Sequence, residues 1–172
     1  GHMTGTGFLL ELRVTDPTDA GCLSRGKQRL KNGGIWYTPQ SGIWQTVWLE
    51  AVPQNYLHSL RITPLLEKCA VHFLLKADDP AHADITVHKD GIIIAAGESG
   101  TDGEALLSIP AEQLHLWSPE DPFLYDVTIT LAGGDTVESY FGMRSFGIGT
   151  DEKGLPKLLL NGKPYFQNGL LD

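Results

Sequence analysis

The stretch FLYDVTITLAGGDTVESYF, Phe123 to Phe141, decides the fold. Apolar and polar residues alternate from Phe123 to Leu131, so this segment presents one apolar and one polar face when extended. Gly133-Gly134-Asp135 then supplies turn residues, and a second alternating run begins at Thr136. We therefore predict a β-hairpin whose apolar face covers a core.

The same alternation recurs upstream of the hairpin, between glycines and prolines that are typical of turns. Asp90-Gly91 offers a tight turn, and Pro110 to Leu114 is the one helical segment we expect, a single turn. About seven strands in this arrangement indicate an all-β, immunoglobulin-like β-sandwich. The strands predicted besides Phe123–Leu131 are Tyr56–Thr63, Ala70–Lys76, a segment around Ile85 and Val87, Ile92–Ala96, Glu104–Ile109 and Thr136–Ile148.

Composition limits the classes of partner. Of 172 residues, 41% are hydrophobic and 20% charged, as in an ordinary soluble globular protein. The net charge of −8 disfavours nucleic acid and anionic membranes, and no apolar run approaches the ~20 residues of a membrane span. We therefore expect no nucleic-acid and no membrane partner. Gly1-His2-Met3 is interpreted as a cloning remnant, so no compartment is predicted.

The two terminal segments do not fit the sandwich. Residues 4–52 contain two apolar runs, Phe8–Val14 and Gln45–Val52, which we interpret as strands too few to close a second sandwich. The segment LLLNGKPYF, residues 158–166, reads as a hairpin whose apolar face has nothing of its own to cover. We interpret both as pieces of neighbouring domains and expect them to make the chain self-associate.

The sequence LWSPEDPFLY, Leu116 to Tyr125, places Glu120 and Asp121 between two prolines. A glycosidase needs two carboxyls facing each other roughly 5–10 Å apart. Sequence neighbours in a strand point to opposite faces, and in a turn both usually face water. The segment is therefore interpreted as a turn leading into a strand. Trp117 is expected to cover the end of the core.

The sequence contains no clear pattern for a metal site or for a catalytic nucleophile. The five histidines after the tag, at positions 58, 72, 82, 88 and 115, match no close-set ligand spacing. No Gly-x-Ser-x-Gly elbow or phosphate-binding loop occurs. Cys22 and Cys69 could pair, but free thiols are the favoured interpretation. We expect no metal and no other cofactor.

An aromatic cluster lies in GGIWYTPQSGIWQTVWLE, Gly33 to Glu50. Exposed aromatic rings stack on sugar rings, so a carbohydrate platform is one hypothesis. Trp44 and Trp48 are interpreted as core or inter-domain side chains, because tryptophan is usually largely buried. Trp36 and Tyr37 remain the candidate carbohydrate contacts.

Five motifs occur here in the order seen in glycoside hydrolase family 2, which the chain resembles from about Arg25 to Asp172. That family contains β-galactosidases, β-glucuronidases and β-mannosidases. The motifs are SGIWQTVWLEAVP, LRITP, LWSPEDPFLYDVTITL, FGMRSF and LLLNGKPYFQNGLLD.

The resemblance implies three modules in succession. Residues 4–52 would be the C-terminal part of a jelly-roll sugar-binding domain, and 53–148 the complete immunoglobulin-like sandwich. Residues 149–172 would be the start of a catalytic (β/α)₈ barrel. The family's acid/base and nucleophile are glutamates on later barrel strands, so no residue of this chain inherits a catalytic role.

By this resemblance the whole protein is a retaining β-glycosidase, β-galactosidase-like, and its partner is a carbohydrate substrate. In β-galactosidases of the family an aspartate ahead of the Ser-Gly-Ile motif helps form the sugar pocket, whereas Gly33 to Trp36 contain no acid. This chain alone is expected to be inactive. The alternatives are a free-standing carbohydrate-binding or adhesion module and a protein-interaction sandwich.

Overall fold

The computed structural model describes residues 10–22, 24–78 and 82–169. Ten β-strands and two 3₁₀ turns, Leu66–Lys68 and Ala111–Gln113, account for the regular structure in these ranges. The helical turn predicted at Pro110–Leu114 is confirmed, but the expectation of a single helical segment is wrong, because Leu66–Lys68 forms a second turn. The strands are β1 Leu57–Leu65, β2 Ala70–Ala77, β3 Ala83–Lys89, β4 Ile92–Glu98, β5 Glu104–Ser108, β6 Tyr125–Leu131, β7 Thr136–Phe141, β8 Phe146–Thr150, β9 Pro156–Leu160 and β10 Lys163–Pro164.

The chain forms two compact units, Gly1–Glu50 and Ala51–Asp172, which are described separately. In the second unit, seven strands build two antiparallel sheets, β1-β2-β5 and β4-β3-β6-β7. The prediction of an immunoglobulin-like sandwich of about seven strands is confirmed. Strand β4 stays beside β3 because the turn between them, Asp90-Gly91, has positive φ at both residues, 50° and 79°. Such a turn returns the chain directly along its neighbour.

The core lies between the inner faces of the two sheets. Strand β6 follows the predicted alternation, since Tyr125, Val127, Ile129 and Leu131 are all buried. The Phe141 ring stacks on Tyr125, with centroids 5.3 Å apart, and meets Phe73 of β2 edge-on at 6.3 Å. Burying each large apolar side chain is worth ~1.5–3 kcal/mol, so this layer supplies much of the driving force for folding. The other large, fully buried core residues are Val71, Ile85, Val87, Ile109 and Met143.

The second strand of the predicted hairpin is confirmed as β7, Thr136–Phe141, but the prediction that strand structure in the sandwich continues to Ile148 is wrong. Strand β7 ends at Phe141, and β8 starts at Phe146 in a different sheet. Between them Met143 is buried, and its carbonyl accepts a hydrogen bond from the Trp117 amide at 2.9 Å. Because this bond pairs the chain with the segment before β6, the chain leaves the edge of the sandwich after Phe141.

Strands β8, β9 and β10 form a separate three-stranded sheet. The predicted hairpin at its end is confirmed, with Asn161 and Gly162 at φ 52° and 76° in the turn between β9 and β10. The Asn161 side-chain nitrogen donates to the Trp117 carbonyl at 3.0 Å, and its oxygen accepts from the Ser145 amide at 3.0 Å. One turn residue therefore anchors this sheet to the sandwich.

The first unit consists mainly of turns joined by isolated bridges, Gln28 with Tyr37 and Gly33 with Trp36. The predicted strands over Phe8–Val14 and Gln45–Val52 are wrong for residues 10–14 and 45–52, which form no strand. Phe8 and Leu9 lie outside the described residues. Alternation alone does not make a strand, because a strand also needs a neighbour to complete its hydrogen-bond ladder.

Candidate functional site

Two regions hold the side chains singled out from the sequence, and the first is the loop before β6. Ser118 and Asp121 close a turn, each amide donating to the other's carbonyl, at 3.0 and 3.2 Å. Asp121 bonds the His115 ring at 2.6 Å, and Glu120 accepts a hydrogen bond from the Tyr165 hydroxyl at 2.7 Å. The interpretation of this segment as a turn leading into a strand is confirmed.

The electrostatics of this loop also favour a structural role. The hydrogen bond from Tyr165, followed by one from the residue's own backbone amide, lowers the pKa of Glu120. The same contact raises the pKa of the Tyr165 hydroxyl. A general acid working near neutral pH needs a carboxyl whose pKa is raised. The pKa of Glu120 is lowered instead of raised. Its carboxylate therefore acts as a hydrogen-bond acceptor for Tyr165 and not as a proton donor.

Trp117 lies half-buried at the end of the sandwich. Its ring lies against Gly142, where an added Cβ would come within 2.9 Å of the Trp117 Cβ. The Arg144 guanidinium carbon lies 4.2 Å from the centroid of the indole and 5.3 Å from that of Phe146. Trp117 therefore covers the segment between β7 and β8, and Arg144 covers one face of the indole.

The second region is the aromatic loop of the first unit. Gly33 and Trp36 exchange two backbone hydrogen bonds of 3.1 Å, and this tight turn displays the residues that follow. The Arg29 guanidinium carbon lies 4.1 Å from the Trp36 ring centroid, a cation–π contact that leaves Trp36 half-buried. Tyr37 has 62% of its surface exposed. The two candidate contact residues thus differ in exposure: the Tyr37 ring is exposed, and the Trp36 ring is partly covered by Arg29.

A shallow groove beside Tyr37 is lined by Thr38, Gln40 and Trp44 among others. Trp44 is 88% exposed, and Trp48 is exposed as well, so the core interpretation is wrong, while the inter-domain alternative stays a prediction. The cause is the absence of a layered core in the described part of this unit, where polar hydrogen bonds connect the loops.

Polar contacts hold the walls of this groove in place. The Gln28 side-chain oxygen accepts from the Gln40 amide at 2.7 Å, and the Ser41 hydroxyl donates to Asp16 at 2.6 Å. The bond from Ser41, and after it the bond from the Thr18 amide, lowers the pKa of Asp16. Hydroxyl, amide and aromatic groups are therefore held together on one surface.

The histidines are dispersed over the sandwich. Three of them bond single carboxylates: His58 with Asp78 at 2.9 Å, His72 with Glu104 at 3.3 Å, and His115 with Asp121 at 2.6 Å. Across the described ranges, no group of three or more His, Cys, Asp and Glu side chains is arranged to hold a metal ion. Both cysteines are free thiols, which confirms the favoured interpretation. Among the described residues, no helix is long and apolar enough to cross a membrane.

Sequence reasoning missed the three side chains that join β8–β10 to the sandwich, namely Arg144, Asn161 and Tyr165. The sequence places Asn161 in the turn of the hairpin predicted over residues 158–166. Its Asn-Gly signal is local and contains no information about Trp117, 44 residues earlier. No periodic pattern marks such long-range contacts.

Comparison with known proteins places the sandwich in a family. The sequence profile of Glycosyl hydrolases family 2 matches residues 55–144. Beta-glucuronidase of Rattus norvegicus is 27% identical in an alignment of 140 residues that covers 76% of this chain and 21% of the rat protein. The Beta-galactosidase large subunit of Leuconostoc lactis is 28% identical in an alignment of 142 residues that covers 76% of this chain and 22% of that protein. The chain thus spans about a fifth of the length of these curated relatives.

Solved structures agree on the fold. The apo structure of a β-glucuronidase from Ruminococcus gnavus superimposes with a TM-score of 0.56 at 20% identity, covering 69% of this chain and 20% of that one. The profile match extends over more than half of the chain and coincides with the two sandwich sheets. This chain belongs to Glycosyl hydrolases family 2.

Proposed function

We propose that this chain is a non-catalytic part of a β-glycosidase, in which the immunoglobulin-like sandwich acts as a scaffold. In this proposal residues 4–52 belong to a jelly-roll sugar-binding domain, 53–148 form the sandwich domain, and 149–172 begin the catalytic (β/α)₈ barrel. The family profile over residues 55–144, in a chain about a fifth as long as its relatives, is the observation that carries the proposal.

The contacts of the Leu116–Tyr125 loop support the scaffold role. Glu120 and Asp121 each bond a side chain of this chain, Tyr165 and His115, rather than facing each other across a cleft. A retaining glycosidase needs two carboxyls about 5–5.5 Å apart, one of them a proton donor. A proton donor needs a raised pKa, whereas the pKa of Glu120 is lowered.

The proposal of inactivity is tested by assaying this polypeptide on nitrophenyl β-galactoside, β-glucuronide and β-mannoside. We expect no turnover above the uncatalysed rate with any of the three. Turnover that survives purification and disappears in Glu120→Gln would contradict the scaffold role. A Glu138→Gln variant, altered at an exposed carboxylate of β7, serves as the matched control.

For the whole protein we propose hydrolysis of O-glycosidic bonds with a β-galactosidase-like preference. The Leuconostoc lactis relative supports a galactoside, and the rat relative, similar to almost the same degree, makes the glucuronide the competing substrate. The same three nitrophenyl glycosides, given to the whole protein, decide between them. Fastest turnover of the galactoside supports the proposal. Fastest turnover of the glucuronide would contradict the proposed galactoside preference but would still support glycosidase activity.

A second candidate function is carbohydrate binding by the aromatic loop, through Trp36 and Tyr37. The exposed rings of Tyr37 and Trp44 beside the Thr38 hydroxyl and the Gln40 amide favour it, because sugars present both apolar C–H faces and hydroxyls. Titration of the chain with neutral galacto-oligosaccharides, followed by NMR, should shift signals of this loop. Tyr37→Ala should remove the shifts, and Tyr56→Ala, in the other unit, should not.

We also propose that the chain self-associates through exposed apolar side chains of the β8–β9 pair. Ile148 is 80% exposed and lies directly opposite Leu158, itself about half exposed. Phe146, at the start of β8, is 72% exposed. Removing such side chains from water favours association.

A further inference from the structure

A groove on the sandwich, at the edge of both sheets, is not used by the scaffold role. Among the described strands, β1 pairs only with β2, and β7 pairs only with β6. Each is therefore an edge strand, with one side not paired to another strand. The lining of the groove comes from these two strands, from Trp117 and Leu124, and from the segment that leads into β8. Its lining includes Thr63 of β1, Ser139 and Tyr140 of β7, and the side chains of Trp117, Arg144 and Phe146.

Arg144 is the only cation lining this groove in the described part of the chain. Its guanidinium carbon lies over the rings of both Trp117 and Phe146, 4.2 and 5.3 Å from their centroids. A guanidinium stacked on aromatic faces keeps its N–H groups free to donate in its own plane, in the fork that fits a carboxylate. Stacking also orients the side chain in advance, which reduces the entropy lost when it binds a ligand.

No carboxylate of the described residues lies within 4.0 Å of this guanidinium. That is notable in a chain with a formal net charge of −8, in which acidic side chains outnumber basic ones, 21 to 13. The groove lining includes no Asp or Glu either. The local charge is therefore positive inside an acidic protein, which favours an anionic group at this place.

The rest of the lining narrows the chemistry of the ligand. Tyr140 and Phe146 are 66% and 72% exposed and offer ring faces for the C–H side of a sugar. Thr63 and Ser139 contribute hydroxyls that both donate and accept hydrogen bonds, as sugar hydroxyls require. We propose that this groove binds an acidic saccharide, with its carboxylate on Arg144 and its ring against Tyr140 or Phe146. The inference is independent of the aromatic loop around Trp36.

The proposal is tested by titrating the whole chain with three probes: a galacturonic acid trimer, a neutral galactose trimer, and an acidic peptide of the same charge. Backbone NMR shifts locate the binding. We expect the acidic trimer to perturb the residues lining the groove and to bind about tenfold or more tightly than the neutral trimer, since hydrogen bonds between charged groups are stronger than neutral ones.

Variants distinguish binding from loss of structure. Arg144→Gln should weaken the acidic trimer about tenfold, and Tyr140→Ala several-fold, with unchanged circular dichroism. Arg61→Gln, which removes an exposed arginine of β1 outside the groove, should have no effect. Three results would overturn the proposal: no shift at the groove, equal affinity for the two trimers, or peptide binding as tight as that of the acidic trimer.

Discussion

The hydroxyl of Tyr125, a fully buried residue at the start of β6, donates a hydrogen bond of 2.6 Å to the carbonyl of Gln113. The same oxygen accepts one of 2.7 Å from the His115 amide. A tyrosine whose hydroxyl hydrogen-bonds to the backbone a few residues upstream is a recurrent feature of immunoglobulin-like sandwiches. Here it fixes the crossing from β5 to β6, where the chain passes from one sheet to the other.

Removing this hydroxyl should destabilise the sandwich. Tyr125→Phe leaves the Gln113 carbonyl and the His115 amide without their partner, so we expect a loss of ~1–3 kcal/mol in the free energy of unfolding. Urea titration measures it. Tyr140→Phe, which removes an exposed hydroxyl, should change stability by less than about 0.5 kcal/mol. Equal effects of the two changes would contradict the structural role of Tyr125.

Gly142 and Trp117 should behave as one packing unit. Gly142→Ala places a Cβ 2.9 Å from the Trp117 Cβ, and this overpacking should cost ~1–3 kcal/mol. In a Trp117→Gly background the same change should cost little, because the Trp117 Cβ and the ring atoms within 3.0 Å of the new Cβ are gone. A double-mutant cycle by thermal unfolding measures this coupling, and additive effects would show that the two residues do not contact each other.

Gly103 should tolerate no side chain. It has φ +77°, and a Cβ there would lie 2.4 Å from the Leu75 carbonyl oxygen, which belongs to the backbone of β2. We expect Gly103→Ala to lower the free energy of unfolding by ~3 kcal/mol or more. Gly134→Ala is the matched control, since its φ of +101° brings strain but no atom lies within 4 Å. Calorimetry of both variants separates steric contact from backbone strain.

The Glu120–Tyr165 contact should make stability depend on pH in the acid range. Because the folded-state pKa of Glu120 lies below its usual value of 4.5, its contribution is present above that pH and is lost as the pH falls through the folded pKa. Tyr165→Phe should move this pKa upward, as NMR titration of the side chain would show. Asp151, whose pKa is lowered first by the Leu155 amide, should titrate as before. An unchanged Glu120 titration would contradict the contact.

Self-association should depend on the exposed face of β8. Ile148→Ser removes the most exposed apolar side chain of that strand and should lower the apparent mass seen by light scattering across a concentration series. Ile92→Ser, the same substitution at an exposed position of β4, is the control. If the unmodified chain is monomeric at high concentration, the association proposal fails.

Much of the sandwich was predictable because its signals are local. Alternation over Phe123–Leu131 gives the inward face of β6, and Asp90-Gly91 and Asn161-Gly162 form the turns that were expected. The change of sheet after Phe141 was not predictable from local pattern, since apolar residues recur at Met143, Phe146 and Ile148. The chain turns away there because Met143 pairs with Trp117, a contact that appears only once the sheets are assembled.

By itself, the sequence determined which segments become strands in the sandwich, where its tight turns fall, and which family its motifs resemble. Only the tertiary structure decided that Trp44 is exposed, that Glu120 meets Tyr165, and that Arg144 lies in a groove without a carboxylate nearby. The physical reason is range. Side-chain periodicity and turn conformations depend on residues a few positions apart, whereas burial and pairing depend on surfaces brought together from distant parts of the chain, such as Glu120 and Tyr165, 45 residues apart.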